Sequence, residues 1–497
     1  MTLEEFSRVL LLSSGVLLLA VLAVRLAVRT GLPSLLLYLG FGLLIGEDGL
    51  GIPFADAQLA QVLGYAALVL ILAEGGLTTR WSTVRGSLGP AAVLATVGTT
   101  VSIAVTGAAA HWLLGLGWTQ AVLVGAVVSS TDAAAVFSVL RQVPLPGRLS
   151  GLLEAESGLN DAPVVIAVVA LTDIAVGATA HTWYYFVGEA VFELAVGTAV
   201  GLAVGFAGAL LLRRSALPAS GLYPIAVLAL AVGAFAVADV LHASGFLATY
   251  LCALVLGNSR LPHRTSTRGF AEAFGWLAQI GLFVMLGLLA DPSRLPGALG
   301  DALLVGLALT LLARPLSVLV SLLPFRLPRT ELAFLSWAGL RGAVPVVLTT
   351  VPLVSGVAGA EQLFDVVLVL VVVFTLVQAP TLPFLARTLG LQSSVPTTDL
   401  DVEVSPLGTL SADVVRVRIG PGSRLHGVEV FELRLPRGAN VTLVARDGST
   451  FVPQPRTALR HGDDVLVVTA AAERSIVERR LAQISRFGKL ADWHDPV

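Results

Sequence analysis

Cysteine and lysine each occur once in this chain of 497 residues, as Cys252 and Lys489. A single cysteine excludes an internal disulfide and any zinc or iron–sulfur centre built from several thiolates. Charge is sparse as well: Asp, Glu, Lys and Arg make up 13% of the chain, against about 25% in soluble domains. Hydrophobic residues make up 56%, so the chain reads as an integral membrane protein in contact with lipid. The formal net charge of -2 points to no class of partner, and nothing points to nucleic acid. There is no Walker-type phosphate loop, which argues against ATP-driven transport. With no GxSxG elbow and no HExxH pair, the chain does not read as an enzyme. No TVGYG-like filter of a potassium channel is present. The N-terminus does not read as a cleaved signal, because Glu4 and Glu5 precede the first apolar run where a signal peptide is basic.

About 20 apolar residues cross a bilayer. On that rule thirteen spans are expected, at 7–28, 33–50, 57–78, 87–112, 119–141, 151–178, 184–212, 222–240, 243–258, 269–290, 297–323, 329–353 and 362–387. Fourteen arginines, from Arg25 to Arg387, fall at alternate ends of these spans, while the opposite ends hold only Arg8 and Arg294. By the positive-inside rule the arginine-rich side is cytoplasmic. That places the N-terminus outside the cell membrane and the C-terminus inside. The expected organisation is a membrane domain over 1–390, a linker over 391–405, a soluble domain over 406–487 and a tail over 488–497. In the soluble part Val414–Ile419, Asn440–Arg446 and Asp464–Thr469 alternate as strands, and Ala472–Gln483 reads as a helix. Asp447-Gly448 is a strong turn signal. A module of this size buries little, so dimerisation or docking is expected.

Carboxylates inside the apolar runs carry the functional argument, because charge in the hydrocarbon is costly and persists where it handles an ion or a proton. In Glu154-Ala155-Glu156-Ser157-Gly158-Leu159-Asn160-Asp161, Asp161 stands about ten residues into span six, roughly 15 Å deep. Desolvation disfavours its bare charge, so a proton and a metal cation compete to neutralise it. Glu154 shares nearly the same face nearer the mouth, and Glu156 and Asn160 share another. Asp132 follows Ser129, Ser130 and Thr131. These oxygen-bearing residues suit an unwound stretch that coordinates a cation, and Asp132 equally suits the cap of a half-helix. Gly339-Leu340-Arg341-Gly342-Ala343-Val344-Pro345 argues for a second break. Arg341 keeps its charge and needs an acidic partner, for which Glu156 is the best candidate. Arg314, followed by Pro315, either snorkels or pairs with a carboxylate of the site. Glu74 could touch the ion path, but an interfacial acid is the slightly favoured reading; Asp239 reads as interfacial. Gly197, Gly201 and Gly205 form overlapping GxxxG patterns that allow close packing within one subunit or between two.

The three motifs Ser130-Thr131-Asp132-Ala133-Ala134-Ala135-Val136-Phe137-Ser138, Glu156-Ser157-Gly158-Leu159-Asn160-Asp161 and Gly339-Leu340-Arg341-Gly342-Ala343-Val344-Pro345 resemble those of the cation/proton antiporter superfamily, in its NhaP-type branch. The resemblance covers about residues 5–390. The stretch from about 400 to 485 resembles a TrkA-C type regulatory module. The pairing is most similar to bacterial potassium/proton antiporters of the cell-volume-regulation type.

That resemblance implies an all-α polytopic membrane protein with two inverted repeats and two broken helices that cross near Thr131-Asp132 and Arg341. A small cytoplasmic α/β domain completes the chain. The resemblance implies a homodimer, with spans 4–6 and 11–13 forming a moving core. Asp161 would be the shared proton and cation carboxylate, with Thr131 and Ser157 adding oxygen ligands, Asp132 facing the crossing and Glu156 pairing with Arg341. Electrogenic members have two adjacent aspartates where this chain has Asn160-Asp161, so electroneutral exchange of a monovalent cation for H+ is expected, and the TrkA-C type tail favours K+ over Na+ as that cation by analogy only. No cofactor is implied, but a nucleotide or cyclic dinucleotide could act on the soluble module. A gated cation channel and a non-transporting ion sensor are the alternatives.

Overall fold

The computed structural model describes residues 3–30, 33–47, 49–52, 54–132, 136, 145–178, 183–215, 217–391, 400–406, 412–420, 422–470 and 473–489. Residues 133–135 and 137–141 of the expected fifth span, residues 142–144 after it, most of the expected linker and residues 490–497 of the expected tail lie outside these. The chain divides into two units, Met1–Gln392 and Ser393–Val497.

Among the described residues the elements of the first unit are all helices, as apolar spans must be when no water is present to satisfy the backbone. Its helices are α1 (Leu3–Thr30), α2 (Ser34–Ile45), α3 (Ala57–Thr78), α4 (Leu88–Leu114), α5 (Trp118–Val127), α6 (Gly147–Ala175) and α7 (Trp183–Arg214). They continue with α8 (Leu222–Val240), α9 (Gly245–Asn258), α10 (Arg264–Leu289), α11 (Leu295–Phe325), α12 (Arg329–Trp337), α13 (Ala343–Val354) and α14 (Ala360–Thr388). Among the described residues eight helices are long and apolar enough to cross a membrane, and shorter apolar helices make up the rest. Helix ends are marked locally. Asp56 caps α3 by accepting from the Leu59 N–H at 2.9 Å, and Gly115, at φ 68°, closes α4 in the left-handed region.

Two triplets of elements match. α4 and α11 each contain one π turn, at Leu94–Gly98 and Leu309–Ala313. The next span is broken in both: α5 stops at Val127, and α12 and α13 are separated at residues 338–342. A 29-residue helix with internal proline comes third in each, α6 with Pro163 and α14 with Pro380 and Pro383. This correspondence is the internal repeat expected of the fold.

The glycine stripe on α7 packs against α9 of the same chain. A Cβ on Gly197 would lie 2.6 Å from the Ser244 carbonyl oxygen, and one on Gly201 would lie 2.6 Å from that of Ala248. The stripe is thus an internal contact, which settles the alternative left open by the sequence. Gly201→Ala should force the helices apart and cost about 1–3 kcal/mol, as overpacking does. Gly188→Ala, with nothing within 4 Å, should leave the melting temperature in detergent unchanged.

The second unit is an antiparallel five-stranded sheet in the order β1-β2-β5-β3-β4. Its strands are β1 (Leu400–Pro406), β2 (Ala412–Ile419), β3 (Ala439–Arg446), β4 (Ser449–Phe451) and β5 (Asp464–Ala470), with α15 (Arg474–Phe487) after them. Val415, Val417, Val465 and Val467 make one side of the core, and Val477, Leu481 and Ile484 of α15 cover it. Asp447 and Gly448, at φ 48° and 79°, form the β3–β4 turn. The stretch 391–405 read as a linker is corrected in part. Residues 400–406 pair with β2 from Leu400↔Ile419 to Pro406↔Asp413. Val402 and Val404 alternate with polar residues there, a short edge-strand pattern that composition alone conceals.

Candidate functional site

The site begins where helical backbone gives out. Residues 128–132 and 338–342 are both non-helical, and the two stretches cross. The Asp132 N–H donates to the Leu340 carbonyl at 2.9 Å. Arg341 Nη1 donates to the carbonyls of Ser129 and Ser130 at 3.2 and 2.8 Å. A Cβ on Gly342 would stand on the Asp132 carboxylate, so glycine is required for the approach. Unwound carbonyls in hydrocarbon lack both helical partners and water, and Arg341 supplies the donors at the negative end of α5.

α6 runs beside this crossing. Asp161 is 7% exposed and accepts from Ser130 Oγ at 2.6 Å. Ser157 Oγ donates to the Thr131 carbonyl at 2.8 Å, and Asn160 Nδ2 donates to Thr131 Oγ1 at 2.6 Å. Asp161, Asn160, Ser157, Thr131 and Asp132 are therefore brought together as one cluster of oxygen-bearing groups. The sequence marks Ser130 only as a neighbour of Asp132, yet it makes the direct contact with Asp161.

A cavity of about 390 Å³ reaches this cluster. Thr131, Asp132, Ser157 and Asp161 line its deep part, while Thr79 and Glu154 line it towards Arg80 and the arginine-rich end. Glu74 also lines it. Glu74 stands one turn in from the end of α3 and lines the cavity that holds Asp161, as its ion-path reading requires and as an interfacial position also allows. Tyr250 of α9 and Gln279 of α10 line the same cavity; neither carries a sequence signal, because each is a single polar group in an ordinary apolar run.

The expected Glu156–Arg341 pair is corrected. Glu156, 2% exposed, binds Arg314, 5% exposed, through both carboxylate oxygens, with Arg314 Nη2 donating to Oε2 at 2.9 Å and Nη1 donating to Oε1. Arg314 Nε also donates to the Leu335 carbonyl at 3.3 Å. Two physical reasons account for the exchange. Arg341 is committed to the unwound carbonyls of Ser129 and Ser130. Arg314 comes directly after the π turn Leu309–Ala313, and Pro315 removes a helical N–H there. A π turn adds a residue and rotates the helix beyond it, which brings Arg314 to the inner face.

On the other side of the unit, Arg294 bridges Glu361 at 2.7 Å, Asp365 at 3.3 Å and Asp291 at 3.4 Å. Asp365 is buried and escapes the sequence reading, although an aspartate in the run 362–387 is a visible signal. It shares Arg294 with Glu361 and Asp291, and it lies apart from the cavity.

Residues 16–388 match the family model described as "Sodium/hydrogen exchanger, transmembrane", and residues 414–481 match that of the TrkA-C domain. The chain is 37% identical to the K(+)/H(+) antiporter NhaP of Alkalimonas amylolytica, over 95% of this chain and 82% of that one. It is 36% identical to the K(+)/H(+) antiporter NhaP2 of Shewanella baltica, over 90% of this chain and 78% of that one. Its fold is shared with the sodium proton antiporter MjNhaP1 of Methanocaldococcus jannaschii, with a TM-score of 0.67 at 21% identity, over 78% of this chain and 99% of that one. With its broken, crossing helices and its two matched domains, the chain belongs to the sodium/hydrogen exchanger family of membrane transporters and carries a C-terminal TrkA-C domain.

Proposed function

We propose that this protein exchanges K+ for H+ across the cell membrane, one for one, through Asp161. The observation that carries the reading is how the two deep carboxylates of α6 are treated. The Glu156 charge is neutralised by Arg314. Asp161 meets the Ser130 hydroxyl at the deep end of a cavity, and among the described residues no basic side chain pairs with it. Asp161 is thus left to be neutralised by whatever enters, a proton or a cation. Among the described residues no group of three or more His, Cys, Asp or Glu is placed to hold a metal ion. Asp132, the second carboxylate at the cavity, is set against Gly342 of the crossing, and Asp161, with the oxygens of Thr131 and Ser157 beside it, is the carboxylate assigned to a monovalent cation. Asn160, where a second carboxylate would add a charge, supports electroneutral exchange. The K(+)/H(+) names of the relatives support potassium as the cation.

In this reading the cavity is the state open to the arginine-rich, cytoplasmic side. Glu154 and Glu74 attract the cation, and Asp161 exchanges its proton for it. The core of α4–α6 and α11–α14 then shifts against the remaining helices to release the ion opposite. A bare carboxylate crosses poorly, and that penalty couples the two fluxes. The N-terminus lies outside and the TrkA-C domain inside, where a small ligand such as a nucleotide could bias the two states by its differential affinity. A homodimer is the assembly proposed.

The test is proton flux into proteoliposomes holding a pH gradient, with K+ or Na+ added. Wild type should dissipate the gradient on K+ addition irrespective of voltage, and Asp161→Asn should lose at least about 99% of that flux, as a proton-transfer group removed costs two or more decades. Voltage-driven flux that survives in Asp161→Asn would mark a channel instead. Cation binding with no flux in wild type would mark a sensor.

A further inference from the structure

Glu154, Gly158 and Asp161 stand at i, i+4 and i+7 on one face of α6, and all three line the cavity. The two carboxylates are about 10 Å apart along the helix axis. Between them, the place that a side chain at position 158 would fill is taken by the ring of Tyr250. A Cβ on Gly158 would lie 2.9 Å from Tyr250 Cδ2, and closer still to Cε2 and Cζ. Tyr250 also lines the cavity, between the mouth carboxylate and the deep one on this face of α6. It is firmly held: Tyr250 is 3% exposed, and a Cβ on Gly76 would lie 2.6 Å from its carbonyl oxygen, so α3 and α9 are in backbone contact there. Thr78, Thr79 and Gln279 line the same cavity with hydroxyl and amide groups.

A cation that passes from Glu154 to Asp161 along this face of α6 passes an aromatic ring. A carboxylate has a strong field, and on its own it favours the smaller, more tightly binding Na+. The field strength of the ligands and the cost of replacing the hydration shell together set alkali-cation selectivity. An aromatic face attracts a bare cation but offers no oxygen in place of lost water. The loss is smaller for K+, which holds its water less tightly. We propose that Tyr250 is a specificity-determining residue of this transporter, its ring forming the neck that favours K+ over Na+ between Glu154 and Asp161. The inference rests on the reading of the cavity as the cation route.

The experiment is cation-coupled proton flux of the full chain in proteoliposomes, at subsaturating K+ or Na+, where the initial rate includes the barrier to entry. It compares wild type, Tyr250→Phe, Tyr250→Leu and Tyr250→Met. Wild type and Tyr250→Phe should run several-fold faster with K+ than with Na+. Tyr250→Leu and Tyr250→Met should shift that rate ratio about fivefold or more towards Na+, the equivalent of ~1 kcal/mol in the barrier. Either variant alone suffices should the other fail to fold. A wild-type ratio in both aliphatic variants, or a wild type with no K+ preference, would overturn the proposal. Failure of the antiport reading shows separately, as absent cation-coupled proton flux in wild type.

Discussion

Arg314→Ala should leave little folded protein in the membrane. The substitution strands Glu156, 2% exposed, as a buried carboxylate without its bidentate partner. Breaking a buried pair from one side costs about 3–5 kcal/mol, a large share of the ~5–15 kcal/mol that separates folded from unfolded states. Arg341 cannot take over, because its guanidinium is engaged with the Ser129 and Ser130 carbonyls. The double variant Glu156→Gln with Arg314→Met removes both charges and should recover most of the loss, as replacement of a buried pair by groups of similar volume commonly does. The coupling is read as a double-mutant cycle of melting temperatures in detergent. An Arg314→Ala protein that melts with wild type would contradict the assignment of this pair.

Gly342→Ala should spare expression and slow transport. The added carbon would stand on the Asp132 carboxylate, at the point where the Asp132 N–H meets the Leu340 carbonyl. Backbone must move to admit it, and Ser130 and Thr131, whose hydroxyls reach Asp161 and Asn160, move with that backbone. Misplacing such ligands by a fraction of an ångström is expected to slow exchange at least about tenfold, the equivalent of ~1.4 kcal/mol in the barrier. Gly297→Ala, with open space around it, is the matched control. Equal exchange rates for the two variants in proteoliposomes would show that the crossing tolerates looseness and would remove it from the mechanism.

Much of the membrane unit is legible in the sequence because hydrocarbon imposes few solutions. Apolar runs of the right length and arginines at alternate ends lead to thirteen spans, and the structure has eight long apolar helices among the described residues, with shorter ones between. The breaks are legible too, since Gly339, Gly342 and Pro345 around a buried arginine make little sense in a continuous helix. Partner choice is not. Glu156 and Arg314 are 158 positions apart, and no periodicity links residues on different helices. The available signal is the Arg314-Pro315 pair in an apolar run, which leaves snorkelling and pairing equally open until the π turn resolves the direction. Glu74 is ambiguous for a related reason: depth along a helix can be counted, but the neighbour a face meets cannot. In the soluble unit the strands with a sustained alternation of apolar positions are readable. The edge strand Leu400–Pro406 is not, because its two valines sit in a polar stretch.

The central claim is that Asp161 holds either one proton or one cation. Calorimetry of K+ binding to the detergent-purified protein, in buffers of different ionisation enthalpy, counts the protons released per ion bound. Wild type should release about one proton per K+ where Asp161 is protonated beforehand, since a desolvated carboxylate must shed its proton to take a cation, and Asp161→Asn should bind no K+. Binding without proton release, or binding that persists in Asp161→Asn, would contradict the account.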